Sequence, residues 1–261
     1  MKKNIIAKNK DHLKKLIKKE MKENGNQCDL NHIDVSNLND LSYVFDDSHF
    51  NGNISNWNTS NVENMYAIFA NSQFNGDISK WDVSKVKNME YMFCQAKFNG
   101  DISNWDTSSV ITMGRLFSES SFNGNISNWD VSKVKSMDGM FYLSIFNGDI
   151  SKWDVSKVES MNSMFLRSKF KGNLSDWKPY KLKHLEDMFE DDDSDIDLMM
   201  EKLLSLASGK KLQKNTEYEP PYWALIEDNN ARKEAINNYW LKDELEKNLK
   251  LRDTKVKKVK V

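Results

Sequence analysis

FNGDISKWDVSKV, residues 74–86, recurs without a single change at residues 146–158. Between these copies stand FNGDISNWDTSSV from Phe98 and FNGNISNWDVSKV from Phe122, so the chain repeats in steps of 24 residues. Laying it out at that step gives blocks beginning at Asn26, Phe50, Phe74, Phe98, Phe122, Phe146 and Phe170. Seven blocks are enough to stack, each burying against its neighbours what it cannot bury alone.

A position filled alike in every block does the same job in every coil. One tryptophan position recurs as Trp57, Trp81, Trp105, Trp129, Trp153 and Trp177. An Ile/Leu position recurs as Leu30, Ile54, Ile78, Ile102, Ile126, Ile150 and Leu174. Both are expected to point inward, the tryptophans as a core spine rather than a sugar platform. Val86, Met89, Met92 and Phe93 have the spacing of one helical face, and the other blocks keep those positions apolar. A short helix is expected there, N-capped by Ser60, Ser84, Ser108, Ser132 and Ser156, with Glu63 and Glu159 completing capping boxes. Upstream, Asn-Gly is expected to form a tight turn, and Asp77-Ile78-Ser79 a short strand paired in parallel with its equivalents.

These elements make an α/β repeat solenoid. Residues 1–25 form an N-terminal helical cap, with Leu13, Leu16, Ile17 and Met21 on one face. Residues 26–193 form the seven coils, and residues 194–261 a C-terminal helical cap or extension with a basic tail. Within that extension, helices are expected from Ser194 to about Gly209 and over about Leu225 to Leu249.

With 39% hydrophobic and 30% charged residues the chain can bury a core and remain soluble. No apolar run approaches the roughly 18 residues of a membrane helix. The N-terminal MKKNIIAKNKDHLKKLIKKE lacks a secretory apolar region. The expected location is therefore the cytoplasm, with export by a route other than the general secretory one as the alternative. Cys28 and Cys94 fall in the first and third coils, too far apart to pair, and are expected to be free thiols. Net charge is −1, with the cap at +6 and the coils at −9. An acidic body argues against binding nucleic acid along its length.

FNGDISKWDVSKVKNMEYMF, repeated this often, resembles the repeat of BspA-like leucine-rich-repeat surface proteins, a domain common in mycoplasma lipoproteins and other host-associated bacteria. The match runs over about residues 28–190. The resemblance implies leucine-rich-repeat-like coils that bind other macromolecules, with no catalytic residues to carry over. Many relatives are exported or lipid-anchored, whereas this sequence shows no signal peptide and no lipobox cysteine.

Asp82, Asp106, Asp130 and Asp154 form one carboxylate row, and Asp77, Asp101 and Asp149 contribute to another. Such rows could hold Ca²⁺, but Asp and Asn before serine more readily bond the local backbone in turns. The four histidines show no metal or catalytic spacing, and six of the ten glycines belong to Asn-Gly pairs, not a phosphate loop. The expectation is a non-enzymatic protein-binding module without cofactor or metal, acting as an intracellular binder, adaptor or inhibitor. The alternative is an exported, host-facing adhesion protein. Recognition requires residues that differ between coils, and those are Tyr66, Tyr91, Arg115, Tyr142, Leu143, Ile145, Leu166 and Arg167. Tyrosine and arginine favour binding hot spots. The C-terminal helices are the other candidate surface, and neither partner identity nor oligomeric state follows from the sequence.

Overall fold

The structure is a computed structural model, which describes residues 3–174 and 176–189. The expected C-terminal helices and basic tail of 194–261, and the end of the seventh coil, lie outside the described residues.

The N-terminal segment contains the helix that its apolar spacing predicts and a strand that it does not. Strand β1 (Ile5–Ile6) is followed by helix α1 (Lys10–Asn24), whose N-cap is Asn9. The Asn9 side-chain oxygen accepts from the His12 N–H at 2.8 Å, satisfying one of the free amides of the first turn. Gly25, at φ 79°, ends the helix, its N–H donating to the Met21 carbonyl. Leu13 and Ile17 are buried, and Leu16 and Met21 pack beside them on the first coil. β1 pairs in parallel with β2 (Ile33–Asp34), so the cap adds a strand to the array as well as a helix. Lys10 Nζ on Asp40 at 2.6 Å and His32 Nε2 at 3.2 Å from Glu20 tie the two together.

Beyond β2 the coils stack at the 24-residue step. Parallel bridges run Asp40 to Asn64 to Asn88 to Thr112 to Ser136 to Ser160 to His184. In the third coil the N–H groups of Met89, Tyr91, Phe93 and Gln95 donate to Thr112, Gly114, Leu116 and Ser118 of the next, at 2.8–3.1 Å. The other coils use the same positions.

Those bonds replace the expected helix. Among the described residues α1 is the only helix, and each Met-x-x-Met-Phe stretch is a run of turns. Met92 N–H donates to Met89, Cys94 to Tyr91 and Ala96 to Phe93, while the amides between them go to the next coil. Tyr91 and Gln95 take φ of 58° and 54°, the sign that a type II turn needs at its third position. An isolated helical turn fixes several dihedrals for one hydrogen bond, whereas stacking gives alternate amides a partner in every coil. In the third coil the parallel bridge accordingly forms at Asn88, and Asp77-Ile78-Ser79 lies outside any strand, whereas the equivalent Asp29 and Asn53 of the first two coils are bridged in parallel.

The serines are not the caps they were expected to be. Asp82 Oδ1 accepts from the Ser84 N–H at 3.0 Å and from its hydroxyl at 2.6 Å, and Asn58, Asp106, Asp130 and Asp154 likewise accept from Ser60, Ser108, Ser132 and Ser156 N–H. Asp77, Asp101 and Asp149 do the same for Ser79, Ser103 and Ser151. Glu63 and Glu159 reach sideways to Lys87 and Lys183 of the following coil instead of closing capping boxes.

Inside, repeated side chains become ladders. Each of the six tryptophans from Trp57 to Trp177 donates its Nε1 hydrogen to a carbonyl 27 residues earlier, as Trp105 does to Ile78 at 3.2 Å, which satisfies both buried groups. Phe74, Phe98, Phe122 and Phe146 stack at 6.3 Å between neighbours, and Phe69, Phe93 and Phe117 at 5.7 Å. The Asn-Gly pairs serve this packing rather than a tight turn. A Cβ on Gly76, Gly100 or Gly148 would stand 2.8 Å from the ring two residues before it. The preceding asparagine links coils instead, Asn51 Oδ1 accepting from Asn75 N–H at 2.7 Å and so on to Asn147 and Lys171. Cys28 and Cys94 are buried, and neither forms a disulfide.

Candidate partner-binding surface

The turn run sends its methionines and second phenylalanine inward and leaves the residues between them on one side of the stack. Residues 42–47, 66–71, 90–95, 114–119, 138–143 and 162–167 are successive copies of this stretch. Here the coils stop agreeing. Ala67, Ala70 and Cys94 form a small buried apolar cluster separate from the main core, with Tyr66 and Tyr91 packed against it. Because these underlying side chains are short, the two rings lie over them and meet at 5.4 Å. Burial also pushes the Cys94 thiol up from its ordinary range.

The row continues in both directions. Tyr43 meets Tyr66 at 5.1 Å, and the Arg115 guanidinium stands 6.0 Å from the Tyr91 ring centre and 5.5 Å from that of Tyr142. Four of the six principal residues read from the sequence, Tyr66, Tyr91, Arg115 and Tyr142, therefore share one row. Leu166 and Arg167 lie one coil beyond Tyr142, half-buried and exposed respectively, with the Leu143 N–H donating to the Leu166 carbonyl. Leu143 and Ile145 are exposed beside Tyr142.

Tyr43, 44% exposed, begins the row and was missed by the sequence reading. It occupies the Tyr91 position two steps earlier, and comparing that position back into the first coil would have found it. The Tyr66 hydroxyl is pushed up to about 12, first by burial and then by its hydrogen bond to Tyr43. It carries no charge at neutral pH, so Tyr66 presents a ring face and a neutral hydroxyl.

Charge around the row comes from carboxylates. Glu90 Oε1 accepts from the Thr112 hydroxyl at 2.7 Å and Glu119 Oε2 from the Gln95 amide at 3.0 Å. Asp138 accepts from the hydroxyls of Ser136 and Ser160 and from the Asn162 N–H. At the cap end, Lys14, Lys18, Tyr43, Asp46 and Asp47 line an open groove between α1 and the first coil. Among the described residues no three His, Cys, Asp or Glu side chains are grouped to hold a metal ion, and no helix is long and apolar enough to cross a membrane. What the surface offers chemically is stacking and charge pairing.

No curated protein and no solved structure matches the chain. A family model matches it twice, over residues 12–121 and 94–197, which together span more than two thirds of the sequence. The overlap of the two matches within the coils is what a repeat family produces on an array of equivalent blocks. The chain thus belongs to the family described as Mycoplasma protein of unknown function, DUF285.

Proposed function

We propose that this chain is a repeat solenoid of the BspA-like, leucine-rich-repeat-like kind that works as a non-enzymatic protein-interaction module. The observation that carries this reading is the row of Tyr43, Tyr66, Tyr91, Arg115 and Tyr142, joined by ring contacts of 5.1–5.4 Å and a guanidinium 5.5–6.0 Å from two rings. The frame beneath is nearly identical from coil to coil, so it supplies rigidity and no selectivity. Selectivity comes from the variable turn positions, and there the chain has placed tyrosines and an arginine, the residue types that dominate binding energy at protein interfaces. Rings held by close neighbours lose little freedom when a partner settles on them, which favours affinity.

The test is a photo-crosslinking side chain placed at Gln95, exposed next to the row, and in a second protein at Asn99, exposed on the asparagine ladder. Each full-length protein is irradiated in extract of the native cell. The expected result is a discrete adduct from position 95 that disappears in a Tyr66→Ala/Tyr91→Ala background and is not formed from position 99. The same adducts from both positions would count against this surface.

A further inference from the structure

We propose that the tyrosine row is the docking site for a lysine- or arginine-rich segment of a protein partner, held by the ring faces and by the carboxylates of Asp46, Glu90 and Glu119. This names the partner chemistry for the surface of the preceding section and rests on that reading.

Charge segregation is the first reason. Between residues 26 and 189 the chain has fifteen lysines and arginines, yet only Arg115 and Arg167 fall in the variable turn stretches. The same stretches, with the seventh counted to Phe189, contain Asp46, Asp47, Glu90, Glu119, Asp138, Glu186 and Asp187, giving this side a net charge of −5. The thirteen lysines lie outside these stretches, where thirteen acidic residues balance them. A face of one sign on an otherwise balanced body draws a partner of the other sign and orients it.

Arg115 is the second reason, because it displays the ligand chemistry within the molecule. Its guanidinium lies 6.0 Å from the centre of Tyr91 and 5.5 Å from that of Tyr142, within the range in which an aromatic face attracts a cation. The rings of Tyr43 and Tyr66, earlier in the row, are tilted against each other at 54° and are both partly exposed. A guanidinium or ammonium from a partner would meet the same ring chemistry there. Glu90 is near enough to Tyr66, and Glu119 and Asp46 near enough to Cys94 beneath the rings, to act on them electrostatically, so carboxylates accompany the row.

The geometry also gives the site a direction. At the cap end Lys14 and Lys18 face Asp46 and Asp47 across the groove and would repel a cation reaching α1. A basic segment is therefore directed along the coils, away from the cap. Nucleic acid is disfavoured by the same acidic face.

The test uses the full-length protein and a short fluorescein-labelled poly-arginine peptide, followed by fluorescence anisotropy at low and physiological salt. Three variants are compared with the parent: Tyr66→Ala/Tyr91→Ala, Glu90→Gln/Glu119→Gln, and Asp101→Asn/Asp149→Asn, the last removing the same charge from the other carboxylate row. Circular dichroism establishes that each is folded. Expected is binding weakened roughly tenfold by each of the first two and by less than about twofold by the third. Equal weakening by both charge-neutralised variants means general attraction to an acidic body and overturns the proposal. Absence of peptide binding, while position 95 still crosslinks a partner, overturns the basic-segment assignment and leaves the docking surface standing. If both are absent, the docking reading falls with it.

Discussion

Gly100 sits two residues after Phe98, and a Cβ there would stand 2.8 Å from Phe98 Cε2 and 2.9 Å from Cζ. Phe98 cannot yield, because it is buried and stacked between Phe74 and Phe122 at 6.3 Å on each side. Gly114 makes the useful contrast, since its nearest obstacle is Glu90 Oε1 at 3.2 Å, the far end of a side chain with room to turn. Gly100→Ala is expected to cost about 1–3 kcal/mol by overpacking, and Gly114→Ala about 0.5 kcal/mol or less. Thermal melts followed by near-ultraviolet circular dichroism check this, and equal midpoints for the two variants would refute the packing explanation. The sequence showed that glycine was required at this position in six coils but suggested a turn as the reason. Only the position of the ring two residues earlier reveals that space, not backbone angle, excludes every other residue.

At the scale of elements, α1 was legible and the coils only partly so. Leu13, Leu16, Ile17 and Met21 at helical spacing, bounded by Asn9 and Gly25, describe a helix that is capped within its own segment. Val86, Met89, Met92 and Phe93 carry a similar spacing, yet the amides of Met89, Tyr91 and Phe93 pair with the next coil. Apolar periodicity reports which side chains point inward. It does not report where the amides go when an equivalent backbone lies alongside, so the inward residues were read correctly and the helix was not. The candidate surface divides in the same way. Tyr66, Tyr91, Arg115 and Tyr142 were recognisable as departures from the repeat, but their meeting in one row depends on positions 17, 18 and 21 of the coil converging in space.

The carboxylate turns belong to this scale as well. Asp77, Asp101 and Asp149 are held below the usual carboxylate range by the backbone N–H of Ser79, Ser103 and Ser151 and then by the hydroxyls of the same serines. Since folding lowers these values, their contribution is fully present above the unfolded value of about 3.9 and is lost as pH falls through the folded values. Replacing all three with asparagine, which already fills the position as Asn53 and Asn125, retains an acceptor and removes the titration. Urea midpoints are expected to fall less steeply below about pH 4 for the triple variant than for the parent. Superimposable acid limbs would refute the assignment.

For the whole molecule, the constant 24-residue step makes length adjustable in units. Each coil contacts its neighbours through the same bonds, so stability is close to a sum over coils and interfaces. Deleting residues 98–121 removes one step and lets the third coil meet the fifth through equivalent positions. That protein is expected to keep the parent's near-ultraviolet spectrum with a lower thermal midpoint, while losing the Arg115 bridge in the tyrosine row. Deleting residues 98–109 shifts every later ladder by half a coil and is expected to abolish the near-ultraviolet signal. Two folded products, or two unfolded ones, would contradict the modular account.

The tryptophan ladder has an optical consequence. Trp57 and Trp81 lie 6.2 Å apart at 5°, and Trp105 and Trp129, like Trp153 and Trp177, lie 6.3 Å apart at 7–8°. Indoles that close and that nearly parallel exchange excitation before they emit. A photon absorbed by one coil therefore need not be re-emitted by it, and the fluorescence of these six indoles belongs to stacked pairs rather than to single chromophores.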